Sequence, residues 1–275
     1  MKRSTGLLST YAGKIILINV IAFFLLFILI GSLGEKFVDS VALQPSSLFA
    51  GKNIWTIITS MFMHSGIAHL LANMISLFFI GLFVERLIGK KRFLIFYFAA
   101  GIFAGLFYAF MSFFFGNSVL GAKIFGSPAI SAMGASGAIF GLLGLLAVLT
   151  PYNRIYLIAG PLIAIVVQSI FSVIFPNSSI ISGLNILITF YFIFSIFAIF
   201  SFNPRMRKLA VPLEMPLWIL PIIAIIPLVI VGLFFQLPIG NSAHFGGLLA
   251  GLLYGFYLRK KYPRKTKMIS RHFSR

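Results

Sequence analysis

The chain has 275 residues, of which 60% are hydrophobic and 9% charged, with 33 Phe and a mean hydropathy of +1.07. A soluble domain carries about 25% charged residues, so a water-soluble enzyme is excluded, and hydrophobicity this high excludes intrinsic disorder. A formal charge of +18 would suit a nucleic-acid binder, but the basic residues fall between apolar segments, not on one face; the absence of cysteine removes disulfides, thiol catalysis and thiolate metal sites.

A helix needs about 20 apolar residues to cross a bilayer. In chain order, uncharged segments of that kind run over Ile15–Leu33, Ile67–Val84, Phe93–Phe115, Ser131–Leu149, Ile155–Phe175, Ile180–Phe202, Leu217–Phe235 and Ser242–Leu258. The first follows Lys2, Arg3 and Lys14. It is longer than a signal-peptide core and lacks a clear small-residue cleavage site, so it reads as a retained span. The expectation is a polytopic all-α membrane protein with eight spans. With the N-terminus inside, alternation leaves only Lys36, Lys52 and Lys123 of the 22 basic residues outside. That distribution satisfies the positive-inside rule and puts both termini in the cytoplasm. Residues 1–258 read as one membrane domain and 259–275 as a basic cytoplasmic tail. The tail reads first as a solvated end and secondarily as a contact for anionic membrane lipids.

Polar groups inside apolar spans are expensive and point to function. No carboxylate, lysine or arginine lies in the middle of any span; His69 and His244 are the only titratable groups there apart from tyrosines, and Asn73 and several serines join them. At 1.5 Å per residue, Ser136 and His244 each lie about 22 Å from the cytoplasmic ends of their spans, and Asn73 about 20 Å, with His69 one turn higher. Four polar side chains from three spans thus share one level in the outer half of the bilayer. Gly137, Gly141 and Gly144 on one span, and Gly247, Gly251 and Gly255 on another, form small-residue stripes that let helix backbones approach.

The residue types suggest acyl-transfer chemistry. A serine hydroxyl becomes a nucleophile when a base within hydrogen-bond reach takes its proton, and His244 can supply that base for Ser136. His69, the Asn73 amide and backbone N–H groups around Gly134–Gly137 are suitable donors to a tetrahedral oxyanion. No aspartate is available at that depth, so the arrangement is a dyad, with Phe140, one turn below Ser136, placed to hold the imidazole by packing. Glu85 beside Arg86 reads as an interfacial ion pair or a cap-like loop contact. Two histidines five residues apart without carboxylates make no metal site, and no cofactor is expected.

Three motifs carry a family likeness. Gly134-Ala135-Ser136-Gly137 resembles the GxSG motif of the rhomboid intramembrane serine proteases. The stretch from His64 to Asn73, followed by Glu85 and Gly89, is similar to that family's second-helix pattern, and Ala243-His244-Phe245-Gly246-Gly247 with Gly251 to its last-helix pattern. The resemblance implies Ser136 as nucleophile, His244 as general base and acid, and His69 with Asn73 in the oxyanion hole. It also implies a supporting role for His64, a six-helix core with a water-filled cavity, and single-span membrane proteins as substrates. Trp55 followed by Thr56 departs from the family's Trp-Arg loop. The spans within 155–202 read as an inserted pair whose even number preserves the orientation of the last helix. Two other readings stay open: a rhomboid-like protein that binds membrane proteins without cutting them, and a transporter, for which Pro161, Pro221 and Pro227 would permit kinked helices.

Overall fold

The computed structural model describes residues 6–34, 37–160, 180–200, 203–234 and 240–272, with positions 163, 164, 167, 171, 174 and 175 between them. Lys2, Arg3, Lys36, Arg275, the ends of the expected sixth and seventh spans, and positions 161–162, 165–166, 168–170 and 172–173 of the expected fifth lie outside the described residues.

The chain is predominantly helical. Three helices, α1 (Tyr11–Leu33), α2 (Ile67–Ile88) and α3 (Lys90–Phe115), are each long and apolar enough to cross a membrane. Leu, Ile and Phe fill α1 on all sides, and Phe27 and Ile28 stay 70% and 66% exposed, as expected of side chains solvated by lipid. Thr10 caps α1, its Oγ1 accepting the Gly13 N–H. The buried Glu85 carboxylate accepts the N–H groups of Tyr11 and Ala12 at 3.1 and 2.8 Å. Of the two contacts expected for Glu85, the cap is therefore the one observed, and an ion pair with Arg86 is not. The first helical turn has orphan donors and positive partial charge, and an anion from a neighbouring helix meets both needs.

Between α1 and α2 the chain makes short helical turns at Val38–Val41, Pro45–Phe49 and Thr56–Thr59. After α3 come a short helix, α4 (Val119–Phe125), and the buried helix α5 (Ser136–Leu149). The expected span Ser131–Leu149 is thus helical only from Ser136. Ahead of it the chain is extended, and Ala132 pairs with Leu43 in an isolated antiparallel bridge. Gly134, with φ +119°, then turns the backbone into the helix, a conformation that a side chain would oppose.

The expected span Ile155–Phe175 needs a larger correction. Its start is a strand, β1 (Arg154–Ile158), paired antiparallel with β2 (Pro212–Pro216), Tyr156 facing Glu214 across the ladder. Pro151 and Asn153 keep α5 from continuing, and Ile155, Tyr156 and Ile158 suit a pleated backbone. Arg154 reaches the Glu214 carboxylate at 3.4 Å. Between the strands lie α6 (Ile180–Phe200) and the basic α7 (Pro204–Leu209). The expected span Leu217–Phe235 opens with a turn and becomes helical as α8 (Leu220–Phe234). The chain closes with α9 (Asn241–Lys261) and α10 (Pro263–His272).

Helix α5 is the centre of the molecule, with Leu142 and Leu145 fully buried. On one side Gly137 and Gly141 lie against Ala104 and Ala100 of α3. On the other, a Cβ on Gly247 would fall on the Gly137 carbonyl, and one on Gly251 on the Gly141 carbonyl. Glycine is required at both contacts because α9 and α5 touch backbone to backbone.

Candidate active site

That close packing sets the geometry of the site. Ser136 is the first residue of α5 and His244 lies in the first turn of α9, 108 positions later in the chain. Ser136 Oγ and His244 Nε2 are 2.8 Å apart. The imidazole stacks on the Phe140 ring, one helical turn below Ser136, with centroids 4.3 Å apart and planes 11° from parallel. Its Nδ1 is buried and has no hydrogen-bond partner among the described residues. Stacking and burial, without a carboxylate, hold the ring.

The entry loop of α5 lies against α2. Gly134 donates its N–H to the Ser60 carbonyl at 2.8 Å, fixing the loop to the turn before α2. A side chain on Gly134 would meet His69 Nε2 at 2.8 Å and approach Asn73 Nδ2 at 3.6 Å, so both α2 side chains face the loop that leads into Ser136. The Ser65 backbone N–H points at His69 Nδ1 at 3.4 Å, and Ser65 Oγ lies 3.1 Å from the same atom. A backbone N–H can only donate, so Nδ1 accepts and Nε2 carries the proton. His69 thereby presents a donor on the Gly134 side. The Asn73 amide donates back to the His69 carbonyl at 3.1 Å, keeping the two side chains on one face. Because Ser136 opens a helix, its own N–H and those of Gly137 and Ala138 precede the first i→i−4 bond, Ile139 to Ala135, and remain free to donate.

His64, expected in a supporting role, lies outside the helices, buried, with its ring edge-on to His69 at 5.1 Å. Burial, and then the neighbouring His69, pull its pKa down to about 4, so it is neutral at pH 7. The structure therefore brings together Ser136, His244, His69, Asn73, Gly134, Gly137 and Phe140, with Gly247 and Gly251 one layer behind and His64 flanking. It also uses residues that the sequence reading did not single out. Ser65 sets the His69 tautomer, Ser60 holds the Gly134 loop, and Tyr108 donates to the Ile130 carbonyl at 2.8 Å to brace the same segment. Ser65, two positions ahead of α2 and four before His69, carries the one sequence signal among them, its spacing.

A cavity of about 430 Å³ opens onto the pair, lined by Ser136, His244, His69, Gly134 and Tyr108 among others. A carbonyl placed there would meet a hydroxyl–imidazole pair and convergent N–H donors, the layout that acyl transfer needs.

The comparisons with known proteins bear on the family of the chain. A family model described as Rhomboid domain matches residues 51–186 and 162–261. The chain is similar to Rhomboid protease GluP of Bacillus subtilis (strain 168), 38% identical over 145 residues, which are 53% of this chain and 25% of that protein. It is also similar to RHOMBOID-like protein 1 of Arabidopsis thaliana, 38% identical over 103 residues, 38% of this chain and 23% of that protein. A third relative, Inactive RHOMBOID-like protein 8 of Arabidopsis thaliana, is 40% identical over 65 residues, 24% of this chain and 18% of that protein. The chain spans a quarter or less of the length of these three relatives. With its apolar helices it is a multi-pass integral membrane protein, and it belongs to the rhomboid family.

Proposed function

We propose that the protein is an intramembrane serine endopeptidase that cuts membrane-protein substrates in or near their transmembrane segments with a Ser136–His244 dyad. The observation that carries this reading is the 2.8 Å approach of Ser136 Oγ to His244 Nε2 at the cavity, with His69 and Asn73 beside the same loop. His244 takes the hydroxyl proton as Oγ bonds to the scissile carbonyl carbon. The oxyanion accepts from His69 Nε2–H, the Asn73 amide and the backbone N–H groups opening α5. Collapse breaks the C–N bond, and the departing amine leaves with the proton from His244. Water then repeats the sequence on the acyl-serine and restores both groups. The steps need no cofactor.

Without a carboxylate on His244 Nδ1, turnover is slow: weakening that interaction in soluble triads costs about 10⁴ in rate. The architecture we propose around this site is a single membrane domain over residues 1–258, a six-helix core with an inserted pair within 155–202, and eight spans. Both termini lie in the cytoplasm, the protein resides in the cell membrane, and 259–275 is a basic, solvated cytoplasmic tail.

The test is reconstitution with a labelled single-span substrate and product mapping by mass spectrometry. Ser136→Ala and His244→Ala should each abolish cleavage, and Asn73→Ala should lower kcat by about 10²–10³. The relative named inactive makes a non-cutting binder the competing reading. Substrate capture without cleavage by the wild type would favour it.

A further inference from the structure

The cavity at the dyad is walled mainly by small and apolar residues, and among the described residues no carboxylate lines it. Among those residues one permanently charged side chain does: Lys123, half-buried in the last turn of α4. Among the described residues Lys123 has no ion-pair or hydrogen-bond partner.

The backbone that carries this lysine is fixed to the catalytic helix. Ser118 caps α4 by accepting the Gly121 N–H at 3.0 Å. Two residues beyond Lys123, the Phe125 carbonyl accepts from Ser242 Oγ at 2.9 Å, and Ser242 lies two residues before His244 on α9. The next carbonyl, that of Gly126, accepts from Ser112 Oγ of α3 at 2.9 Å. An anchored cation without a counter-ion, beside an apolar wall, gains most from an anion that enters the cavity.

We propose that Lys123 is a specificity-determining residue that pairs with an Asp or Glu carboxylate of the polypeptide substrate close to the scissile bond. The proposal rests on the protease reading above. A peptide carboxylate is favoured over a lipid headgroup because the same cavity contains Ser136 and the Gly134 loop, where the scissile segment lies.

The experiment walks a single Glu through the positions flanking the cut of a single-span substrate, each with a Gln counterpart, in phosphatidylcholine vesicles. Wild type should prefer Glu over Gln at one register by about tenfold in kcat/KM, between the effects of exposed and of buried charge pairs. Lys123→Met should treat the two alike, Lys123→Arg should keep the preference, and Lys123→Glu should transfer it to a Lys substrate at that register. Binding of the same peptides to Ser136→Ala reads recognition without chemistry. Glu-selective binding with no cleavage by the wild type would sink the protease reading and leave the recognition standing. Equal handling of Glu and Gln at every register, in cleavage and binding, would overturn the proposal. A Lys123 effect that follows added phosphatidylglycerol and ignores substrate charge would also overturn it, assigning the site to lipid.

Discussion

Gly134 stands between two demands that only glycine meets. Its φ of +119° suits no residue with a side chain, and its α-carbon faces the His69 imidazole closely enough that a Cβ would sit 2.8 Å from Nε2. Gly134→Ala should therefore cost on the order of 1–3 kcal/mol in backbone strain and push His69 out of line. Thermal unfolding in detergent should show a lowered Tm, and cleavage should fall by at least about 10², the effect of one lost oxyanion donor. Unchanged activity would mean that the loop does not hold His69 as described. The polar residues of the site were legible because a span without lysine, arginine or carboxylate leaves few groups able to do chemistry. Phe140 was legible from its one-turn offset below Ser136. Ser65 and Ser60 were not, since their contacts arise only when the loop before α2 folds against the loop before α5.

At the scale of elements, the glycine stripes on α5 and α9 turn sequence spacing into a backbone contact. Gly251→Val would drive its side chain into the Gly141 carbonyl and the Leu145 amide. We expect a loss of about 1–3 kcal/mol from overpacking and loss of cleavage, because parting the helices separates Ser136 from His244. Leu253→Val, at a lipid-facing position 59% exposed on the same helix, is the control and should leave both nearly unchanged. Equal damage from the two would show that the stripe is not the contact. The stripes could be read directly as spacings of three and four. The strands could not, because Ile155 to Ile158 is as apolar as a span and only its pairing with Pro212–Pro216, more than fifty positions on, makes it β. The late start of α5 escaped for a similar reason: Ser131 to Ala135 is uncharged, and what keeps it from being helical is the bridge of Ala132 to Leu43 and the positive φ of Gly134.

For the whole molecule, the charge asymmetry predicts an orientation that can be measured. The chain has no cysteine, so single introduced cysteines report sidedness without background. Lys52→Cys should react with an impermeant maleimide in intact cells, whereas Lys91→Cys and Lys267→Cys, also exposed positions, should react only after permeabilisation. Labelling of Lys267→Cys from outside would mean an odd number of spans and would break the proposed topology. The same topology has to bring two residues 108 positions apart to one depth, and their meeting is the claim on which the function depends. It is tested most directly, without any knowledge of the substrate, by reacting the purified protein with a fluorophosphonate and locating the adduct by peptide mass spectrometry. The account predicts one phosphonylated residue, Ser136, with labelling slowed at least about 10³-fold in His244→Ala. Undiminished labelling of Ser136 in that variant, or failure of the wild-type protein to react there at all, would contradict it.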